Sequence, residues 1–279
     1  MITMKGRVAI ITGAASGIGL ALVKACLHEG MHVVMADINH TMLMHPIQPL
    51  SIPDGQTVLR VVCDVTNEQA VKQLAEQTLA CFQRVDVLIN NAGIIGDLGP
   101  LWELSTASIR HVLDTNLYGV INGIQAFLPH MLQQSHDSHV VNMASCYGLC
   151  SSSHLTAYAM SKHSIIALSE SLYFDLQRLK KNIHVAVVCP SFTNTDLLIN
   201  SSNINPMGLH DKMNTLIKHG RPAQDVADCI LREIKQKTFY ILPDHEVKSY
   251  CDERTQAIIA QRQPHQHSLE KIIASISSR

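Results

Sequence analysis

A surplus of charge is missing from this 279-residue chain: 22 Lys and Arg stand against 23 Asp and Glu, a formal net charge of −1. Without a basic excess, neither nucleic acid nor an anionic membrane surface is expected as a partner. Long apolar runs are missing too. The run after Arg7 in "MITMKGRVAIITG" ends at Thr12, too short for a signal core or a span. No later run approaches the roughly 18 residues that a membrane helix needs. The eight Cys include no C-x-x-C pair; residues such as Cys63, Cys81 and Cys189 sit in apolar segments. They read as small buried hydrophobes in a reducing compartment, so a cytoplasmic location is expected. The 16 His form no H-E-x-x-H, and the "HQH" at 265–267 falls in a polar tail. No metal site is expected. Internal repeats and low-complexity linkers are also lacking.

What is present is an ordinary globular composition, 46% hydrophobic and 16% charged, long enough for one large α/β domain with a full core. Short Val- and Ile-rich runs recur at 7–12, 32–37, 57–62, 86–90, 139–143 and 184–188, with "FYIL" at 239–242 as a seventh. Most are apolar at consecutive positions, which predicts strands buried on both faces. Amphipathic stretches at 17–29, 67–82 and 157–180 predict helices between them. Strand and helix in alternation predict an α/β fold: a Rossmann-type, doubly wound parallel sheet of about seven strands. Pro46, Pro49 and Pro53 limit any helix in 38–56 to a short one. The polar segment 197–220 reads as a mobile flap with one or two short helices. The tail at about 244–279 reads as helical.

The turn "TGAASGIG" (12–19) follows the first strand and opens a helix. Gly13 allows a tight turn, Gly17 lets backbone N–H groups approach a diphosphate, and Gly19 lets the helix pack on the sheet. Ser16 and Ile18 share this turn. A helix N-terminus supplies orphan donors and a positive dipole end. Asp37 ends the next strand, close to the spacing expected of a ribose-binding carboxylate. Together these predict dinucleotide binding.

The spacing Gly13-x-x-x-Gly17-x-Gly19 resembles the short-chain dehydrogenase/reductase family, and further motifs follow in the family's order. "CDVTN" (63–67) resembles the segment where Asp64 bonds the adenine amino group and Val65 packs beside the ring. "NNAG" (90–93), with Asn91, resembles the motif that borders the cofactor. "DTNLYG" supplies Asn116, "NMASCYG" supplies Ser145, and "TAYAMSKHS" supplies Tyr158 and Lys162. The resemblance implies one dinucleotide-binding oxidoreductase domain over 1–279. It implies hydride transfer between a secondary alcohol and a ketone, with Asn116, Ser145, Tyr158 and Lys162 as the catalytic set. Tyr158 is the general acid/base, Ser145 holds the substrate oxygen, and Asn116 holds a relay water. Lys162 also bonds the nicotinamide ribose. Pro190 is kept after the sixth strand, but Ser191 stands where the family usually has glycine, which puts the local backbone in question. Thr193 is expected to bond the nicotinamide carboxamide, and Thr195 to meet the diphosphate. A homotetramer or dimer is also implied, and apolar Ile165, Ile166, Leu168 and Leu172 on the Tyr158 helix exceed what one sheet contact needs.

The chemistry explains the pairing. A free phenol titrates near 10, and lowering that by about three units takes roughly 4 kcal/mol. An ammonium about 4 Å away, at an effective dielectric near 20, contributes about that much. Spacing of i, i+4 puts Lys162 on the Tyr158 face. Asp37, with no cation at Ser16 or in "INH" (38–40), points to NAD over NADP. Ile94, Ile95, Cys146, Tyr147, Leu155 and Phe192 are expected to line an apolar pocket for a neutral or hydrophobic alcohol or ketone. The alternative is a non-catalytic dinucleotide-binding sensor or interaction module, against which intact Ser145, Tyr158 and Lys162 argue.

Overall fold

The computed structural model describes residues 3–45, 50–198, 209–264 and 270–271. The strands are β1 (Val8–Thr12), β2 (His32–Asp37), β3 (Val58–Val62), β4 (Val87–Asn90), β5 (Ser138–Met143), β6 (Ile183–Val188), β7 (Thr193–Asn194), β8 (Arg221–Pro222) and β9 (Tyr240–Ile241). Seven of them form one sheet in the order β3-β2-β1-β4-β5-β6-β9. Every pairing in it is parallel. β7 and β8 pair separately. The strand order reverses between β1 and β4, and in open α/β sheets ligands bind outside the carboxyl ends of the strands at such a point.

β1, β4 and β5 are buried throughout. This matches their unbroken apolar runs, because a central parallel strand is covered on both faces. β3 departs from that expectation. It is an edge strand, and Val62 is 46% exposed. Its sequence looks like that of its neighbours because runs of Val and Leu do not encode position within the sheet.

The helices are α1 (Gly17–His28), α2 (His40–Met44), α3 (Glu68–Phe82), α4 (Thr106–Leu113), α5 (Gly119–Gln133), α6 (Thr156–Leu179), α7 (Leu209–Lys218), α8 (Ala223–Lys235) and α9 (Glu246–Ile259). One apolar cluster packs α1 and α8 on the sheet, through Leu22, Cys26, Val226 and Ile230. A second, on the other face, gathers Val71, Leu74, Phe127 and Leu176 from α3, α5 and α6. The third lies at the carboxyl edge and joins Tyr147, Tyr158 and Ile166 to Met213 and Ile217 of α7.

Local chemistry sets the helix ends. Asn67 caps α3, its side chain accepting from the Gln69 and Ala70 N–H groups, a cap worth about 1 kcal/mol. α2 stops two residues before Pro46, as the prolines predict. Between α4 and α5 the helix widens into a π turn at Asp114–Tyr118, a distortion common at functional sites.

In the segment 197–220, α7 is the helix among the described residues, while 199–208 lie outside them. The tail carries α9, and the "HQH" at 265–267 also lies outside the described residues. Among the described residues, no helix is long and apolar enough to cross a membrane. Nor does any cluster of three or more His, Cys, Asp or Glu there suit a metal.

The apolar residues of α6 expected to exceed one sheet contact pack in the chain's own clusters. Ile165 and Ile166 are buried, with Leu168 packed against their cluster and Leu172 against the second-face cluster. A 24-residue helix packed on β5, β6 and the carboxyl-edge cluster buries more than one stripe. Its exposed apolar residues are others: Met160, Tyr173, Phe174 and Leu179.

Candidate active site

A cavity of about 970 Å³ runs along the carboxyl edge of the sheet. Gly13, Ser16, Gly17, Ile18, Gly19, Asp37, Asp64, Val65, Asn91, Ser145, Tyr158, Lys162, Pro190 and Thr193 all line it. Asn116 does not.

At one end the cavity is a backbone cradle. Gly17 has φ +52° and faces the Thr195 side chain, 3.1 Å from where its own Cβ would stand. At Gly19 a Cβ would overlap the Gly13 carbonyl and crowd Asn91 Nδ2 at 2.7 Å. No residue but glycine fits there. Thr12 and Asn91 lock β1 to β4 beneath the cradle. Thr12 Oγ1 accepts from the Asn91 and Ala92 N–H groups at 3.0 and 3.1 Å, and Asn91 Nδ2 donates to the Thr12 carbonyl at 2.9 Å. Asp37 reaches back, with Oδ2 accepting from Ala15 N–H at 2.9 Å while Oδ1 accepts from Asn39 N–H at 2.9 Å. It therefore both braces the glycine turn and caps the next one. Asp64 closes its own turn by accepting from Thr66 N–H and Oγ1.

At the other end, α6 and the loop after β5 bring Ser145, Tyr158 and Lys162 together. All three are buried. Ser145 neighbours the Tyr158 phenol and favours its charged form. It also accepts from Tyr147 N–H at 3.3 Å, so it caps the short turn at Cys146–Gly148. The Tyr147 ring stands edge-on to Tyr158, centroids 5.9 Å apart. Lys162 Nζ lies 5.6 Å from the Tyr158 ring centroid and donates to the Met143 carbonyl at 2.9 Å.

For the chain alone, the shifts run opposite to the lowering expected of the phenol. Burial pushes the Tyr158 phenol above its ordinary value, with Ser145 pulling the other way. Burial also pushes the Lys162 ammonium down to about 8. Desolvation penalises the charged form of both groups, and the protein's own lysine does not overcome it.

Asn116 is fully buried in the π turn. Its Oδ1 accepts from Ile94 N–H at 2.8 Å, and its Nδ2 donates to the Ile94 carbonyl and to Ser161 Oγ. It thus clamps the loop after β4 to α6. Asn116 Oδ1 and Lys162 Nζ border the same space beside Gly93, 3.2 and 3.4 Å from where a Cβ would stand.

Ser191 avoids the left-handed region: among the described residues, those with positive φ other than glycine are Gln83, His154, Lys180, Lys237 and Gln261. The replacement of the family's glycine therefore strains nothing. Instead Ser191 N–H donates to Asp244 Oδ2 at 2.7 Å.

Two further groups support the site. Asn142 accepts from Asn90 Nδ2 at 2.9 Å and donates to Ser169 Oγ at 3.0 Å, tying β4, β5 and α6 together in the core. Asp244 is the other. A polar residue inside an apolar strand run, as at Asn90 and Asn142, is the readable signal for the first; Asp244 carries none.

The expected pocket residues Ile94, Ile95, Cys146, Tyr147, Leu155 and Phe192 all line the cavity, joined by Met213 and Ile217 of α7. Lys162 is the lone Lys or Arg among the described lining residues.

Comparison with known proteins agrees with this geometry. The profile of the short chain dehydrogenases matches residues 7–205. A short-chain dehydrogenase/reductase from Burkholderia phymatum, solved in complex with NAD, superposes with a TM-score of 0.90 at 32% identity, over 95% of this chain and 98% of that one. The "CLA biosynthesis dehydrogenase/reductase" of Lactiplantibacillus plantarum is 30% identical over 96% of this chain and 99% of its own length. A 1-deoxy-11-beta-hydroxypentalenate dehydrogenase of Streptomyces exfoliatus is 30% identical over 88% of this chain and 86% of its own. A matching profile over most of the length, a matching fold and a cradle shaped for a dinucleotide converge: the chain belongs to the short-chain dehydrogenase/reductase family, and is an oxidoreductase.

Proposed function

We propose that the protein interconverts a neutral, largely apolar secondary alcohol and its ketone, with NAD(H) as hydride carrier and Tyr158 as general acid/base. The observation that carries this reading is the single cavity that joins a glycine cradle at one end to Ser145, Tyr158 and Lys162 at the other. The cradle fits a dinucleotide: Gly13, Ser16, Gly17, Ile18 and Gly19, at the N-terminus of α1, all line the cavity and leave backbone donors there for a diphosphate. A bound nicotinamide supplies or accepts the hydride and, when oxidised, adds a positive charge.

The chain's own groups do the rest. Ser145 donates to the substrate oxygen and holds it at the Tyr158 hydroxyl. Tyr158 takes the alcohol proton in oxidation and returns it in reduction. Burial raises this phenol, so the positive charge of Lys162 together with that of the oxidised cofactor brings it toward a working range. Lys162 has two ammonium hydrogens beyond the one given to Met143, and these serve the ribose. Its shared border with Asn116 at Gly93 is where a proton-relay water belongs. Thr193, Pro190 and Asn91 wall the nicotinamide side; Asp64 and Val65 wall the adenine side.

NAD is favoured over NADP by Asp37. A carboxylate offers about four lone-pair sites, and two are taken by backbone N–H groups, so ribose hydroxyls can still donate to it. A 2′-phosphate would meet a like charge. The apolar residues around Tyr158, with no Arg among the described lining residues, suit a neutral substrate. We infer a reducing, cytoplasmic setting from eight free thiols. We infer a dimer or tetramer from the exposed aromatic strip of Tyr173, Phe174 and Tyr240, which continues a run of edge-to-face rings through Phe239. Light scattering tests the oligomer, and a clean species of 30.8 kDa would overturn it.

The test of the reaction is a panel of hydrophobic secondary alcohols followed by NADH absorbance, with Tyr158→Phe as control. That variant should keep the fold and bind NADH, and lose roughly 10²- to 10⁴-fold in turnover. Near-full turnover in the variant would remove Tyr158 from the role.

A further inference from the structure

The ladder between β6 and β9 advances by two residues per rung. Val187 N–H donates to the Phe239 carbonyl, and Cys189 N–H to the Ile241 carbonyl at 2.9 Å. The next rung in a parallel ladder would run from Ser191 N–H to the Pro243 carbonyl. It is not made. Ser191 N–H donates to Asp244 Oδ2 at 2.7 Å, and the Pro243 carbonyl accepts from Arg221 Nη1, which also reaches Asp244 Oδ1 at 3.4 Å. Arg221 N–H in turn donates to the Phe192 carbonyl at 2.9 Å. Two side chains thus replace a backbone rung where the sheet ends and the cavity wall begins.

This wall is Pro190–Thr193, and all four residues line the cavity. Its other hold on the site is the Pro190 carbonyl, which accepts from Cys146 N–H at 2.8 Å, next to Ser145. Asp244 is 8% exposed and does not line the cavity. Its hydrogen-bonded route to bound molecules is the wall. β9 has only two residues, so the ladder itself has little leverage on the wall.

We propose that Asp244, seated by Arg221, is a positioning residue: it fixes the Ser191 backbone and thereby sets where Phe192 and Thr193 stand against cofactor and substrate. The aspartate also accounts for Ser191, because an N–H aimed at a carboxylate in ordinary backbone geometry needs no glycine. The inference rests on the oxidoreductase reading above.

The test compares Asp244→Ala, Asp244→Asn and Arg221→Gln with the parent chain. NADH affinity is read by fluorescence titration, KM and kcat by steady-state rates, and Tm by thermal melting. Asp244→Ala, which removes a charge-assisted bond to a wall N–H, should weaken NADH binding about tenfold. It should raise KM for the alcohol more than it lowers kcat, and leave the pH profile of kcat in place. Asp244→Asn keeps an acceptor for Ser191 and should restore binding to within about threefold of the parent. Arg221→Gln, at a side chain 37% exposed, should fold in any case and weaken NADH binding about threefold. NADH affinity and KM unchanged in Arg221→Gln and in folded Asp244→Ala, with only Tm lowered, would overturn the proposal. A parent chain that binds no NADH would instead sink the oxidoreductase reading itself.

Discussion

Asp86 and Lys162 are both buried charges, at opposite edges of the same sheet. At the amino edge Asp86 is well partnered. Its Oδ2 accepts from Val8 N–H at 2.9 Å and Arg84 Nε at 2.7 Å; its Oδ1 accepts from Arg84 Nη2 at 2.6 Å and faces His136 Nε2 at 3.1 Å. Arg7 stands 3.9 Å away. At the carboxyl edge Lys162 makes one bond, to Met143, and otherwise faces the cavity beside Tyr158. The first arrangement spends three hydrogen bonds on holding loops together. The second keeps hydrogen-bonding capacity on a buried side chain that faces the cavity. Burial marks a structural charge when it is fully partnered, and a chemical one when donors remain pointed at space.

Removing Asp86 is the largest way to break this comparison. Asp86→Ala leaves Arg84 and Val8 N–H without their acceptor and should lower stability by about 3 kcal/mol. A drop in the urea midpoint at constant m measures it. NADH affinity of the folded variant should not change. A loss below about 1 kcal/mol would place this cluster among ordinary surface pairs.

Lys162→Met probes the opposite edge. It should weaken NADH binding and raise the apparent pKa for alcohol oxidation together, with turnover near neutral pH down about 10- to 100-fold. Stability should hold or rise, because a desolvated ammonium already pushed down to about 8 is a cost to the fold. An unchanged pH profile would show that the ammonium does not tune the phenol.

Asp37→Ala is milder. The parent should prefer NAD(H) over NADP(H) by about tenfold, near 1.4 kcal/mol, and the variant should narrow that gap chiefly by losing NAD. Equal kinetics with both cofactors in the parent would overturn the assignment and leave Tyr158 untouched.

The smallest effect at neutral pH belongs to His139, back at the amino edge. Burial first, then His184 and Arg7, push its imidazole down to about 3, while Asp137 opposes them and Lys237 adds to them. His184 is pushed down as well, mainly by burial. Between that folded value and an unfolded one near 6.5, the unfolded chain binds more protons. Stability from a neutral His139 is therefore complete above about pH 6.5 and is lost as pH falls toward 3. His139→Gln should flatten this acid limb of a Tm-against-pH curve and change little at pH 7. An equally steep limb in the variant would shift the effect to His184 or to the carboxylates.

Much of the molecule was legible because it is local. Strand runs of four to six apolar residues, the prolines that stop α2, and the Gly13–Gly19 turn each carry their physics within a few neighbours. Tyr158 and Lys162 share a face by helical period alone. Position in the sheet was not legible, since β3 reads like a central strand and lies at the edge. Neither was the role of Ile165 and Ile166, whose apolar character says that they are covered and not by what.

By itself, then, the sequence determined the alternation that makes a parallel sheet, the glycine cradle, and the presence of a serine, a tyrosine and a lysine in family order, because these depend on backbone conformation and short-range periodicity. The tertiary structure alone decided the sign of the Tyr158 and Lys162 shifts, which follow from how much protein surrounds them. It also decided that Asn116 clamps two segments rather than lining the cavity. And it decided that Ser191 is held by Asp244, 53 residues away. Desolvation and long-range hydrogen bonds depend on which segments meet, and no short window of residues contains that information.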